Sequence, residues 1–169
     1  MTTPPEIPLS FTFSDIPHTF LRGNRALILL KDQEGKYVLG CKNVYPNGIY
    51  RLAGGGIEAG EDPQTAACRE LEEELGITRE HMKELATLVL TLNSPKQSVH
   101  IKLHLFTTTL EAGETLHPSD DLDGVMHLSR EEMNALVDRF YDLQDVSDFK
   151  WSHYGKVYGR VHEIALELA

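Results

Sequence analysis

The chain has 169 residues, with 16 basic against 26 acidic side chains and a formal charge of −10. That length suits one domain burying about 70% of its unfolded surface, and 41% apolar with 25% charged residues is ordinary for a globular protein. The charge excludes a generic binder of nucleic-acid polymers or membrane surfaces, which needs a basic field, and the longest uninterrupted apolar run, Ala26 to Leu30, is only five residues.

From the start, residues 1–8 carry three prolines and no pattern, so a flexible tail is expected. The tail also lacks the basic and apolar parts of a secretion signal, and a cytoplasmic protein is expected. Ser10 to Phe13 alternates as an edge strand would. Arg25–Lys31 and Lys36–Lys42 are apolar-rich runs around Asp32-Gln33-Glu34-Gly35, a hairpin signal. Tyr45-Pro46-Asn47-Gly48 is a second turn, and Ile49 to Leu52 is expected as a short strand that delivers the chain into a glycine-rich loop. Beyond residue 77, strands are expected over Glu84–Leu92 and Gln97–Leu110. His100 and His104 share one face of the second, a pair that could ligate a metal or simply make a polar strand face. Glu111 to Asp123 is an acidic loop and Val125 to Leu128 a short strand. Ser129-Arg130-Glu131-Glu132 is a capping box opening a helix to about Phe140. A linker over Asp142–Asp148 precedes a last helix, about Lys150 to Leu168, with Trp151, Tyr154, Tyr158 and His162 in a row. Such a row suits core packing or a dimer interface, or a stack on a nucleobase. Cys41 and Cys68 have no disulfide or metal-ligand spacing and read as small core residues. No repeat or domain boundary interrupts residues 1–169, so one α/β or α+β domain with a mixed sheet between helices is expected.

The densest stretch is Gly55 to Ile77. Asp62 is a good N-cap, Pro63 fits the first helical position, and Gly76 fits the left-handed residue past the C-terminus. The spacing predicts a helix over 63–75. On it Ala67, Cys68, Leu71 and Leu75 form an apolar stripe, and Glu70, Glu73 and Glu74 fill the adjoining sector. A row of carboxylates can be a solvated face. Held at the rim of a core, it is instead a natural seat for a hard, oxygen-ligated cation such as Mg²⁺ or Mn²⁺.

Gly55, five residues, Glu61, seven residues, then Arg69-Glu70-Leu71-Glu72-Glu73-Glu74-Leu75-Gly76-Ile77 is a long pattern at fixed spacing. It resembles the box of the Nudix hydrolases. The box covers 23 of 169 residues; Ala53 and Ala59 stand where many members carry proline. The resemblance implies an α/β/α sandwich and metal-dependent hydrolysis of a diphosphate bond in a nucleotide-like small molecule. It makes Glu70, Glu73 and Glu74 metal ligands or the base, adds the Gly54 carbonyl as a ligand, and gives Glu61 and Arg69, with Gly55 and Gly76, structural work. Water attacks phosphorus in line while charge builds on the phosphate oxygens, so metal ions and a positioned carboxylate suit the chemistry. The general base falls to a box glutamate or to an acid of the 111–123 loop, where Asp121 is chosen and Asp120 and Glu114 stay open. Arg51, then Arg25 and Lys42, are candidates for substrate phosphate. Many relatives dimerise, so a homodimer is an expectation. Two other readings compete: a nucleotide-sensing module without turnover, and an allylic diphosphate isomerase using Cys41.

Overall fold

The computed structural model describes residues 3–146 and 149–169. Met1 and Thr2 of the expected tail, and Ser147 and Asp148 of the expected linker, lie outside the described residues. In chain order the elements are β1 (Glu6–Thr12), a 3-10 turn (His18–Arg22), β2 (Arg25–Lys31), β3 (Tyr37–Cys41), β4 (Ala53–Gly56), α1 (Pro63–Leu75), β5 (Lys83–Asn93), β6 (Ser98–Thr109), β7 (Gly124–Leu128), α2 (Arg130–Tyr141) and α3 (Trp151–Leu168).

The strands make one mixed sheet in the order β1-β5-β6-β2-β3-β7, with β4 beside β2. β2 is central, and Arg25 to Leu30 are all buried, as a strand covered on both faces must be. Its even-numbered residues Ala26, Ile28 and Leu30 pack with Ala67, Leu71 and Leu75 of α1. Its odd-numbered Leu27 and Leu29 pack with α2 and α3 on the opposite face. Period-two alternation thus splits one apolar run between two cores, and the result is the α/β/α sandwich.

Helix α1 keeps its expected bounds. The Asp62 side chain accepts from the Thr65 N–H at 3.0 Å, and Gly76 closes the helix at φ 71°. In α2 the capping box forms both ways, Ser129 with Glu132. The row on α3 is core: Tyr154, Tyr158 and His162 are 4%, 0% and 0% exposed. A Cβ at Gly155 would collide with the Phe140 carbonyl, so α2 and α3 cross in direct contact. Among the described residues no helix is long and apolar enough to cross a membrane.

Two expectations need correction. The flexible tail does not extend to residue 8, because Glu6 to Pro8 open β1, which pairs in parallel with β5 from Glu6↔Thr87 onward. Ile7, Leu9 and Phe11 alternate onto the core, and Pro8 is tolerated because β1 is an edge strand. The short strand expected at 49–52 forms instead at Ala53–Gly56, within the glycine run itself. Arg51 makes only an isolated bridge to Gly40. Gly54 lies so close to the β2 backbone, at φ 142°, that any Cβ there would strike the Ala26 carbonyl. Glycines read as a loop are therefore a strand pressed against its neighbour.

Candidate active site

Strand β4 and helix α1 present the site between them. Arg69 holds the two together. Its Nε and Nη2 donate to both oxygens of Glu61 at 2.8 and 2.9 Å, Nη2 also donates to the Gly56 carbonyl at 3.0 Å, and Nη1 reaches Glu70 at 3.0 Å and Glu73 at 3.2 Å. Such a bidentate fork fixes orientation as well as distance. Glu61 also accepts from the Glu58 N–H, and the two donors hold its carboxyl down at about 2. One guanidinium thus ties the β4–α1 connection to the acidic face.

The box glutamates differ in setting. Glu73 is more than half exposed. Glu70 lies against the backbone of β4, where a Cβ on Gly55 would stand 2.5 Å from its carboxylate, so glycine is needed for the approach. Burial raises its carboxyl despite Arg69. Glu74 accepts the Gly54 N–H at 3.3 Å. Burial pushes its carboxyl up to about 7, and the opposing pull of Arg51, the Gly54 N–H and Lys42 does not restore it. Two neighbouring desolvated carboxylates, one without an ion pair among the described residues, are oxygen donors of the kind a hard divalent cation takes, though no three His, Cys, Asp or Glu side chains among the described residues are grouped closely enough to hold one.

Glu74 lines one small cavity together with Lys42, Tyr45, Arg51 and Leu122. The Arg51 guanidinium stands 4.9 Å over the Tyr158 ring and donates from Nη1 to the Tyr154 hydroxyl at 3.3 Å. No carboxylate pairs with Arg51 or Arg25 among the described residues, and the Nε of each is buried without a partner, as is the Tyr158 hydroxyl. Arg25 is 8% exposed. Two arginines are thus largely buried without an ion pair among the described residues.

The 111–123 loop closes on the end of α1: the His117 N–H donates to Leu75 O at 2.8 Å and the Ser119 N–H to Glu74 O at 2.9 Å. Asp120 and Asp121, next along, are exposed. Glu114 is brought elsewhere. Arg79 grips it with two contacts of 2.7 and 2.6 Å, and its carboxyl is held at about 2. The sequence carried no signal for that pair. His104 meets Glu84 at 3.1 Å and His100 meets Thr91 at 3.1 Å, so both act as cross-strand polar partners. Burial, then Asp123, raises the Cys41 thiol, the reverse of what a nucleophilic cysteine needs.

An α/β/α sandwich with an acidic helix pinned against a glycine strand is the framework of a phosphoanhydride hydrolase. The chain belongs to the NUDIX domain family, whose model matches residues 21–154, and it is a Nudix pyrophosphohydrolase by class. Three solved structures share the fold. A MutT protein from Methanosarcina mazei Go1 has a TM-score of 0.53 at 13% identity, covering 97% of each chain. The E. coli dihydroneopterin triphosphate pyrophosphohydrolase has 0.56 at 15%, covering 86% of this chain and 96% of that one. A MutT NUDIX hydrolase from Burkholderia pseudomallei has 0.54 at 21%, covering 87% and 97%. At these identities the likeness is one of fold.

Proposed function

We propose that the chain hydrolyses a diphosphate bond in a small nucleotide-like substrate, with Mg²⁺ or Mn²⁺ as cofactor. The observation that carries this reading is the acidic face of α1 held against β4: Glu74, partly buried, beside Glu70 and lining one small cavity with Lys42 and Arg51. Glu70, Glu73, Glu74 and the Gly54 carbonyl would hold the cation, with Asp121 as a further acid from the tethered loop. When bound, the ion supplies charge neutralisation at phosphate oxygens and a more acidic water.

The protein's own groups account for the rest. Whichever of Glu70, Glu73, Glu74 and Asp121 is not engaged with the cation is suited to take the proton of the attacking water. Arg51, then Arg25 and Lys42, are the candidates for substrate phosphate, and neither arginine pairs with a carboxylate among the described residues. Arg69 and Glu61 keep the acidic face in register with β4. One P–O bond of the anhydride breaks as water forms another, and two phosphate esters, or one with pyrophosphate or phosphate, leave.

The test is incubation with Mg²⁺ and a panel of nucleoside triphosphates, ADP-ribose, dinucleoside polyphosphates and coenzyme A, with products identified. Turnover of at least one member is expected. Tight calorimetric binding of an intact nucleotide without turnover over hours would instead make the chain a sensor.

A further inference from the structure

The sheet forks beside the glycine strand. Coming down β2, Lys31 and Leu30 pair with Tyr37 and Val38 of β3, whereas Ile28 to Arg25 pair with Ala53 to Gly56 of β4. The chain feeding β4 passes between these ladders. Arg51 spends both its backbone groups on Gly40, at 2.8 and 3.1 Å. Leu52, the next residue, is 2% exposed and lies outside every ladder, so its N–H reaches neither strand nor water. A buried N–H left there would be expensive.

Helix α3 supplies the acceptor. His162 Nε2 takes the Leu52 N–H at 3.2 Å. The other ring nitrogen donates to the Tyr158 carbonyl at 2.6 Å, which fixes the proton on Nδ1 and leaves Nε2 as the acceptor. Phe140 of α2 packs against the ring with centroids 4.7 Å apart, so the imidazole cannot swing away. One turn earlier on the same helix, Tyr158 underlies Arg51, and two turns earlier Tyr154 accepts from it. The same stripe of α3 therefore holds two consecutive residues, 51 and 52, just ahead of Gly54.

We infer that His162 is a positioning residue for the active site: through the Leu52 N–H it sets the height at which the chain enters β4, and so the placement of Gly54 against Glu74. Gly54 donates its N–H to Glu74 at 3.3 Å, and a slip of the strand at Leu52 moves that pair apart. Burial keeps the imidazole neutral, the form that can accept, with a pKa near 4. The inference rests on the proposed diphosphatase only for the part Gly54 and Glu74 play in holding a cation.

His162→Phe keeps the ring and removes the acceptor, and His162→Gln returns an acceptor at similar reach. Amide exchange in the metal-free protein should speed up at both Leu52 and Gly54 in His162→Phe and return toward the parent rate in His162→Gln. Mn²⁺ alone, titrated calorimetrically, should bind about tenfold more weakly to His162→Phe, with recovery in His162→Gln. On whichever panel nucleotide turns over, kcat should fall by about ten- to a hundredfold with KM changed less, since misplacement by about 1 Å costs that much. Val157→Ala, a buried truncation on α3 that leaves His162 and its acceptor nitrogen in place, should lose stability without these changes. If His162→Phe does not fold, His162→Asn, too short to reach Leu52, takes its place. Fast exchange confined to Leu52, or the same losses in Val157→Ala, would overturn the inference. A parent protein that binds no Mn²⁺ would count against the metal reading alone, and the exchange rates would still decide the role of His162.

Discussion

Helices α1 and α3 flank the same glycine strand and serve it in opposite ways. On α1 the working groups are charged, lie at the rim of the core and are linked by Arg69 to residues thirteen positions away or fewer along the chain. On α3 they are aromatic or neutral, fully covered, and reach partners more than a hundred residues back. A charge can be spent at a rim because water shares its cost; at depth the same positioning must be done by neutral acceptors and ring faces. The exception is Arg51, a cation sunk among Tyr45, Tyr154 and Tyr158 with no ion pair among the described residues.

The contrast is broken most severely at the rim. Glu73→Gln and Glu74→Gln should each lower kcat by orders of magnitude while leaving the melting temperature within a few degrees, because each removes charge without volume. Steady-state rates with Mg²⁺ and thermal melts check both; full activity in either variant would exclude that residue from the chemistry.

At depth, Arg51→Met should separate binding from stability. KM should rise about tenfold or more as a charge-assisted contact is lost. Loss of the Tyr154 hydrogen bond and the Tyr158 ring contact should at the same time cost the metal-free fold only about 1 kcal/mol in denaturant titrations. A variant that is far less stable and has unchanged KM would make Arg51 a packing residue.

His162 gives the contrast a pH dependence. Its pKa is lowered from 6.5 to about 4 by burial, with Arg51 adding to the effect and the Tyr158 carbonyl opposing it. Between those values the unfolded imidazole binds the proton that the folded one refuses, so stability is complete above about 6.5 and drains as pH falls toward 4. The loss should reach about 3 kcal/mol. Comparing melts of the parent and His162→Gln from pH 7.5 to 4.5 isolates it: the two curves should converge on acidification.

The smallest effect is expected at Glu114. Glu114→Gln should cost about 1 kcal/mol through the loss of the Arg79 pair, which is mostly shielded from solvent. kcat should not change. A large fall in kcat would return this acid to the list of bases.

What could be read from the chain alone was whatever is encoded locally. Asp62, Pro63 and Gly76 delimited α1 because caps act within a turn, and the apolar run of β2 and the alternation of β6 announced strands because side-chain direction is a local property. The spacing of Glu61, Arg69 and the three glutamates carried the family for the same reason: loop and helix are contiguous. The glycine run was misread as a loop because only the proximity of the Ala26 carbonyl and Glu70 makes an extended glycine strand necessary. Residues 6–8 looked like tail because β5, the strand that orders them, lies some eighty positions away.

The row Tyr154, Tyr158, His162 was visible as a helical stripe, but nothing in it named Arg51 or Leu52. Those partners are chosen by where the sheet forks, and a fork is a relation among three strands. By itself, the sequence determined the acidic helix, its caps and the class of chemistry. Only the tertiary structure decided which carboxyl is buried enough to sit near neutrality, which arginines lack a counter-charge, and which histidine holds the strand, because burial and the distance between remote residues exist only once the chain has packed.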